Sequence, residues 1–304
     1  MGSPQLAVPS LRAVAKVGQV VGVVTQPPRG RGRGLRIAPS PVAQACEEMG
    51  LSPMTPASIR TPEFAARIRE MGPDVAVVVA YGKILPPELL AIPALGCVNV
   101  HASLLPELRG AAPIQWAIAR GHRETGVTLM LMDEGMDTGP ILLQRSTAIG
   151  ARETSLELGE RLSRMGADLL EEALPALERG ELRPVPQDAA RATYAPLLTK
   201  EDGKMDWSLD ASALADRVRG FSPWPGTYTT ARGGRLLITG ARATTRKHGI
   251  APGQVLSAGP EGIEVACGQG TLLVTALKPE GRRTMEPAEF LAGHRVAEGD
   301  LWGD

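Results

Sequence analysis

The chain has 304 residues, with 33 Lys and Arg against 33 Asp and Glu, so it carries no formal net charge. Hydrophobic residues make up 43% and charged residues 22%, the balance of a globular protein of about two domains. Neutrality argues against a non-specific nucleic-acid coat protein, though a local basic patch remains possible. The longest apolar runs, Val75–Ala80 and Val127–Met132, are strand-sized and too short to span a membrane. No secretory signal opens the chain. Cys46, Cys97 and Cys267 are far apart and form no CxxC pair, which disfavours a disulfide framework or a zinc site. A cytoplasmic, metal-free enzyme is the expectation.

In chain order, Met1-Gly2-Ser3-Pro4 runs straight into a helix over Leu6–Val17, as a turn would that follows a strand. The missing opening strand is better explained by a misassigned start methionine than by a protein that lacks the strand; the codons upstream would decide. Gln19–Val24, Asp74–Ala80, Cys97–His101 and Val127–Met132 read as strands. Pro41–Met49, Glu63–Met71 and Pro113–Arg120 read as helices bounded by Pro or Gly. This alternation predicts an α/β, Rossmann-like domain with a mostly parallel sheet, whose chemistry sits beyond the carboxyl ends of strands. Thr154 and Glu157 form a capping box for a longer helix, with Leu158, Leu162, Met165 and Leu169 as its core face. Residues 181–199, which hold Pro184, Pro186 and Pro196, read as a linker. Beyond it, Leu236–Thr239, Val255–Leu256, Gly262–Ala266 and Leu272–Ala276 are short strands between Gly-rich turns, as in a small β-barrel or sandwich. The expected division is a domain over 1–180, the linker over 181–199 and a second domain over 200–304.

Two stretches carry polar residues that either satisfy buried backbone groups and turns or do chemistry, and their placement at strand ends favours chemistry. In Cys97–His101, alternation places Cys97, Asn99 and His101 on one strand face and Val98 and Val100 on the other. Cys97 and His101 lie about 13 Å apart along a strand, too far for a thiol–imidazole pair. Cys97 therefore reads as a small apolar residue. Asn99 and His101, about 6.6 Å apart, can converge on one reacting group. The second stretch, Gly126–Pro140, ends a strand in a loop that alternates acids with glycines. Asp133 reads as a turn former. Asp137, among Gly135, Gly139 and Pro140, sits in a backbone suited to close ligand approach.

Asn-Val-His at 99–101, Ser-Leu-Leu-Pro at 103–106, Arg-Gly-Ala-Ala-Pro-Ile-Gln at 109–115 and Met132–Pro140 together resemble the 10-formyltetrahydrofolate-dependent formyltransferases. Further agreement comes from Gly2-Ser3-Pro4, Thr25-Gln26-Pro27, Pro39–Val42, Thr193–Pro196 and Phe221–Pro225. The family places an apolar strand before the Gly-Ser/Thr-Pro turn, which this chain lacks. The resemblance implies a Rossmann-like catalytic domain, a C-terminal OB-like barrel that helps hold tRNA, and Asn99, His101 and Asp137 as catalytic trio. Asn99 would donate to the oxyanion of a tetrahedral intermediate, aided by protonated His101. Asp137 would orient His101 and relay protons through water. Ser103, Leu104, Leu105 and Pro106 would bind the folate co-substrate 10-formyltetrahydrofolate, with Ile84 and Leu85 as a further wall.

The substrate would be recognised by a basic loop carrying Arg29, Arg31, Arg33 and Arg36 among glycines, suited to phosphate contacts. Arg232, Arg235, Arg242, Arg246 and Lys247 form a basic strip in the second domain. The resemblance places such a loop in the branch of the family that formylates methionine on initiator Met-tRNA for translation initiation, and implies Arg33, in Gly-Arg-Gly, as its key arginine; the strip agrees with that branch. The expected enzyme is a monomer with no membrane partner. Two alternatives remain: a formyltransferase acting on an amino-sugar nucleotide, and a non-catalytic RNA-binding module. Trp224 reads as packing, and His122, His248 and His294 as ordinary surface or helix-end residues.

Overall fold

A computed structural model describes residues 1–31, 36–231 and 233–303, with the backbone alone described for Arg29, Arg31, Arg36 and Ile37. In chain order the elements are α1 (Val8–Val17), β1 (Val23–Val24), β2 (Arg29–Arg31), β3 (Arg36–Ala38), α2 (Pro41–Glu48), β4 (Pro53–Met54) and α3 (Pro62–Glu70). There follow β5 (Ala76–Val78), α4 (Pro87–Leu90), β6 (Cys97–His101), α5 (Pro113–Ala119), β7 (Glu124–Leu131), β8 (Ile141–Ala148) and α6 (Ser155–Glu178). The chain closes with α7 (Ala211–Gly220), β9 (Thr227–Ala231), β10 (Gly234–Thr244), β11 (Val255–Gly259), β12 (Gly262–Ala266), β13 (Thr271–Pro279) and α8 (Pro287–Gly293).

Two compact units result. The first takes Met1–Gly110, Glu124–Thr147 and Gly159–Ala195; the second takes Ala111–Arg123, Ala148–Leu158 and Pro196–Asp304. Residues 181–195, expected within the linker, are part of the first unit.

Local chemistry starts the helices of the first unit. Proline at the first position suits α2 and α3, because that N–H has no helical partner. The Ser40 and Thr61 hydroxyls then accept from the N–H groups of Ala43 and Phe64. The Ser40 hydroxyl also lies 2.7 Å from that of Thr25, and Ser3 Oγ accepts from the Gln26 amide. Three turns distant in sequence thus meet at the ends of β1 and the Met1–Gly2 segment.

The main sheet runs β5-β6-β7-β8. β5 and β6 are parallel, as are β1 and β4, whereas β6 and β7 are antiparallel. The parallel expectation therefore holds for the pairs β1–β4 and β5–β6 and not for β7, which follows α5 yet runs antiparallel to β6. β1 and β5 are shorter than the runs expected to form them. Only Val23–Val24 find a ladder partner, in Pro53–Met54. Met1–Gly2 lies between these strands: the Gly2 amide donates to Val24 O at 3.0 Å, and the Val79 amide to Met1 O at 2.9 Å. Beside Met1, an apolar cavity of about 140 Å³ is lined by Leu11, Val14, Val20, Val24, Val75 and Val77 among others.

The second unit holds the antiparallel sheet β11-β12-β13-β10-β9. Its edges are joined by the C-terminal residues, since Leu301 bridges Gln254 and Trp302 bridges Ala231. This gives the expected barrel-like closure. Trp207, Leu214, Ile238, Val265, Leu272 and Trp302 pack inside. No described helix is long and apolar enough to cross a membrane.

Candidate active site

β6 places the first two polar residues. Its alternation turns Val98 and Val100 one way, and α6 covers that face so closely that a Cβ on Gly166 would lie 2.7 Å from Val100 Cγ1. Asn99 and His101 take the other face. Asp137 reaches them from the loop between β7 and β8, in the left-handed backbone region at φ 54°.

The Asp137 carboxylate joins the group. Oδ1 accepts from Asn99 Nδ2 at 3.2 Å, and Oδ2 accepts from the Gly110 amide at 2.8 Å. His101 Nδ1 lies 3.7 Å from Oδ2, with the two side chains 6% and 14% exposed. His101 Nε2 lies 3.0 Å from the carbonyl oxygen of Leu108. A carbonyl only accepts, so Nε2 carries its hydrogen, and in the neutral ring Nδ1 is the proton acceptor. Asn99 spends one amide hydrogen on Asp137 and keeps a second for a ligand. Donors and an acceptor thus converge, as acyl transfer to an amine requires.

The neighbouring Ser103–Pro106 segment is held rigidly. Ser103 is fully buried, and its hydroxyl donates to Glu107 O at 2.6 Å. Thr128 Oγ1 donates to Ser103 O and accepts from the Leu105 amide, while Gln144 Nε2 donates to Leu105 O at 2.8 Å. Leu105 is buried, Leu104 half-buried, and the Leu105–Pro106 peptide is cis. Thr128 and Gln144 went unnoticed in the sequence because they sit in β7 and β8 without a motif of their own. Leu85 packs in the core with Phe64, Val78 and Tyr81, whereas Ile84 is 68% exposed on a groove with Ile59, Arg60 and Lys83. These two therefore point apart. Cys97 is buried, and burial pushes its thiol up to about 11, against any nucleophilic role.

Arg29, Arg31 and Arg36 lie on the antiparallel β2–β3 hairpin, with Arg31 opposite Arg36. Arg33 and Arg232 fall outside the described residues. In the second unit Arg235 stacks over the Tyr228 ring at 3.7 Å, and Arg242 and Lys247 are exposed. Arg246 is exposed but pairs with Glu264 at 2.5 Å. Among the described residues no cluster of His, Cys, Asp or Glu could hold a metal ion.

Comparison with known proteins gives the family. Residues 5–174 match the formyl transferase model, and residues 197–295 match the formyl transferase C-terminal domain. The chain is 51% identical over 299 residues to a methionyl-tRNA formyltransferase of Myxococcus xanthus, covering 98% of this chain and 95% of that one. A methionyl-tRNA formyltransferase of Citrifermentans bemidjiense is 49% identical, covering 100% and 95%. Among solved structures, an N-formyltransferase of Helicobacter canadensis with folinic acid and dTDP-3-aminofucose shares the fold at TM-score 0.66 and 16% identity, covering 90% and 96%. HypX of Aquifex aeolicus with tetrahydrofolic acid does so at TM-score 0.58 and 21% identity, over 79% of this chain and 45% of HypX. The chain belongs to the formyl transferase family.

Proposed function

We propose that this protein transfers the formyl group of 10-formyltetrahydrofolate to the amino group of methionine on initiator Met-tRNA, in the cytoplasm where translation begins. The observation that carries the reading is the single carboxylate of Asp137 tying together Asn99, the Gly110 amide and the His101 ring. Near full-length identity to methionyl-tRNA formyltransferases supports the choice of substrate.

The geometry suits the reaction. The free amine attacks the formyl carbon, and negative charge builds on the formyl oxygen. The second amide hydrogen of Asn99 stabilises that charge, an effect worth about 10²–10³ in rate for one such donor. The attacking nitrogen loses a proton and the folate N10 must gain one. His101 Nδ1, left as acceptor by the bond from Nε2 to Leu108, takes the first, and Asp137 at 3.7 Å stabilises the imidazolium formed. Returning that proton to N10 releases tetrahydrofolate. The Ser103–Pro106 segment, braced by Thr128 and Gln144, supplies a fixed wall for the folate. The arginines of the loop and strip would meet tRNA phosphates without reading sequence.

The test offers 10-formyltetrahydrofolate with Met-tRNA or with an amino-sugar nucleotide. Formylation of Met-tRNA alone is the expected result. Formylation of the sugar instead would move the chain to another branch, and formylation of neither would leave an RNA-binding module. Arg33→Ala should raise the KM for Met-tRNA about tenfold or more while leaving that for folate within twofold. An unchanged tRNA KM would remove the loop from substrate binding.

A further inference from the structure

The segment expected to be a plain linker crosses the first unit and reaches the loop that carries Asp137. Val185 exchanges two backbone hydrogen bonds of 2.8 Å with Ile141 at the start of β8. Further along, Thr193 Oγ1 accepts from the Leu108 amide at 2.8 Å, Thr193 O accepts from the Arg109 amide, and the Ala195 amide donates to Arg109 O at 2.7 Å. These bonds fix the Leu108–Gly110 turn, which supplies the carbonyl that anchors His101 and the amide that anchors Asp137.

Gln187 lies between the two anchor points, and both ends of its amide are engaged. Oε1 accepts from Arg109 Nε and Nη2 at 3.1 and 2.7 Å. Nε2 donates to the backbone carbonyls of Asp137 and Gly139 at 2.9 and 2.7 Å. An amide offers two donor hydrogens and one acceptor oxygen, so this use is complete. One side chain thus pins the left-handed Asp137 backbone to the buried Arg109, one residue before the Gly110 amide that holds the Asp137 carboxylate.

We propose that Gln187 is a positioning residue for formyl transfer, setting the Asp137 carboxylate against His101 through the Asp137 backbone. The proposal rests on the reading of Asp137 as a member of the catalytic trio. Gln187 acts through the loop and touches no reacting atom. Its substitution should therefore lower kcat more than it raises KM, since a misplacement of about 1 Å in a reacting group costs on the order of a hundredfold.

The test compares Gln187→Ala, Gln187→Glu and Asp137→Asn with the parent enzyme in steady-state formylation of Met-tRNA, across pH. Gln187→Glu keeps an acceptor for Arg109 and loses both donors to the loop, so it remains informative where Gln187→Ala unfolds. The expected result for Gln187→Glu is a kcat lowered about ten- to a hundredfold, both KM values within about threefold, and a displaced pH profile of kcat. Adding it to Asp137→Asn should cost little more, because both act on one carboxylate. A Gln187→Glu enzyme with parental kcat overturns the proposal, as does a reduced kcat with an unmoved pH profile. If Asp137→Asn itself keeps full turnover, the reading of the trio fails instead.

Discussion

Glycine and amide residues that carry no chemistry of their own decide how Asp137 is held. Gly110 has φ 116°, and a Cβ there would lie 2.7 Å from Ala195 O. Gly110→Ala therefore strains the turn, costing about 1–3 kcal/mol, and draws its N–H away from Asp137. Turnover should fall about ten- to a hundredfold, the upper end being the loss that a misplacement of about 1 Å brings. Gly180→Ala is the control: φ is 70° there, yet nothing lies within 4 Å, so thermal stability should drop while turnover stays. Equal turnover in both variants would separate the Gly110 amide from catalysis. The grouping of Asn99, His101 and Asp137 was legible in the sequence, since polar residues alternating at an apolar strand end are costly without a use, and the resemblance joined Asp137 to them. Gln187 was not. A glutamine in a proline-rich stretch has no pattern, and its partners are backbone groups that only the folded loop brings near.

Elements were legible where their signals are local. β6 and β12 run over the expected residues, and α2, α3 and α5 end within a residue of expectation, because proline and side-chain caps set their starts. Thr154 and Glu157 form the expected reciprocal pair at α6, the Thr154 amide donating to Glu157 Oε2 at 2.8 Å. Leu158, Leu162 and Leu169 are buried on its core face, with Met165 half-buried. The lengths of β1 and β5 and the direction of β7 depend on distant partners and were not legible, and β8, which pairs with β7, was not expected. β12 carries a further polar cluster. Desolvation pushes the Glu264 carboxyl upward, but hydrogen bonds from Thr271 and Arg246, with one from Ser257, outweigh it and hold the group below its ordinary value of 4.5. A lowered folded value means that this stability is complete above about pH 4.5 and is lost as pH falls through the folded value. Urea midpoints of the parent and Glu264→Gln should therefore converge as pH falls from neutral through the lowered folded value. A gap that stays constant would show that the Glu264 charge adds nothing.

At the scale of the molecule, the change of texture near residue 200 announced two domains, and the structure forms two units, each with its own sheet. What the sequence concealed is that residues 111–123 and 148–158 join the second unit, while 181–195 stay with the first. Packing between distant segments decides this, and periodicity does not record it. The first unit contains Asn99, His101 and Asp137 and both of their anchors, Leu108 and Gly110, so one folded body holds the whole proposed site. The central claim is that the Asp137 carboxylate organises formyl transfer, and single-turnover kinetics of Asp137→Asn with 10-formyltetrahydrofolate and Met-tRNA test it directly. The account predicts a transfer rate lower by about 10²–10⁴ with the thermal unfolding midpoint nearly kept. A rate within twofold of the parent would contradict it.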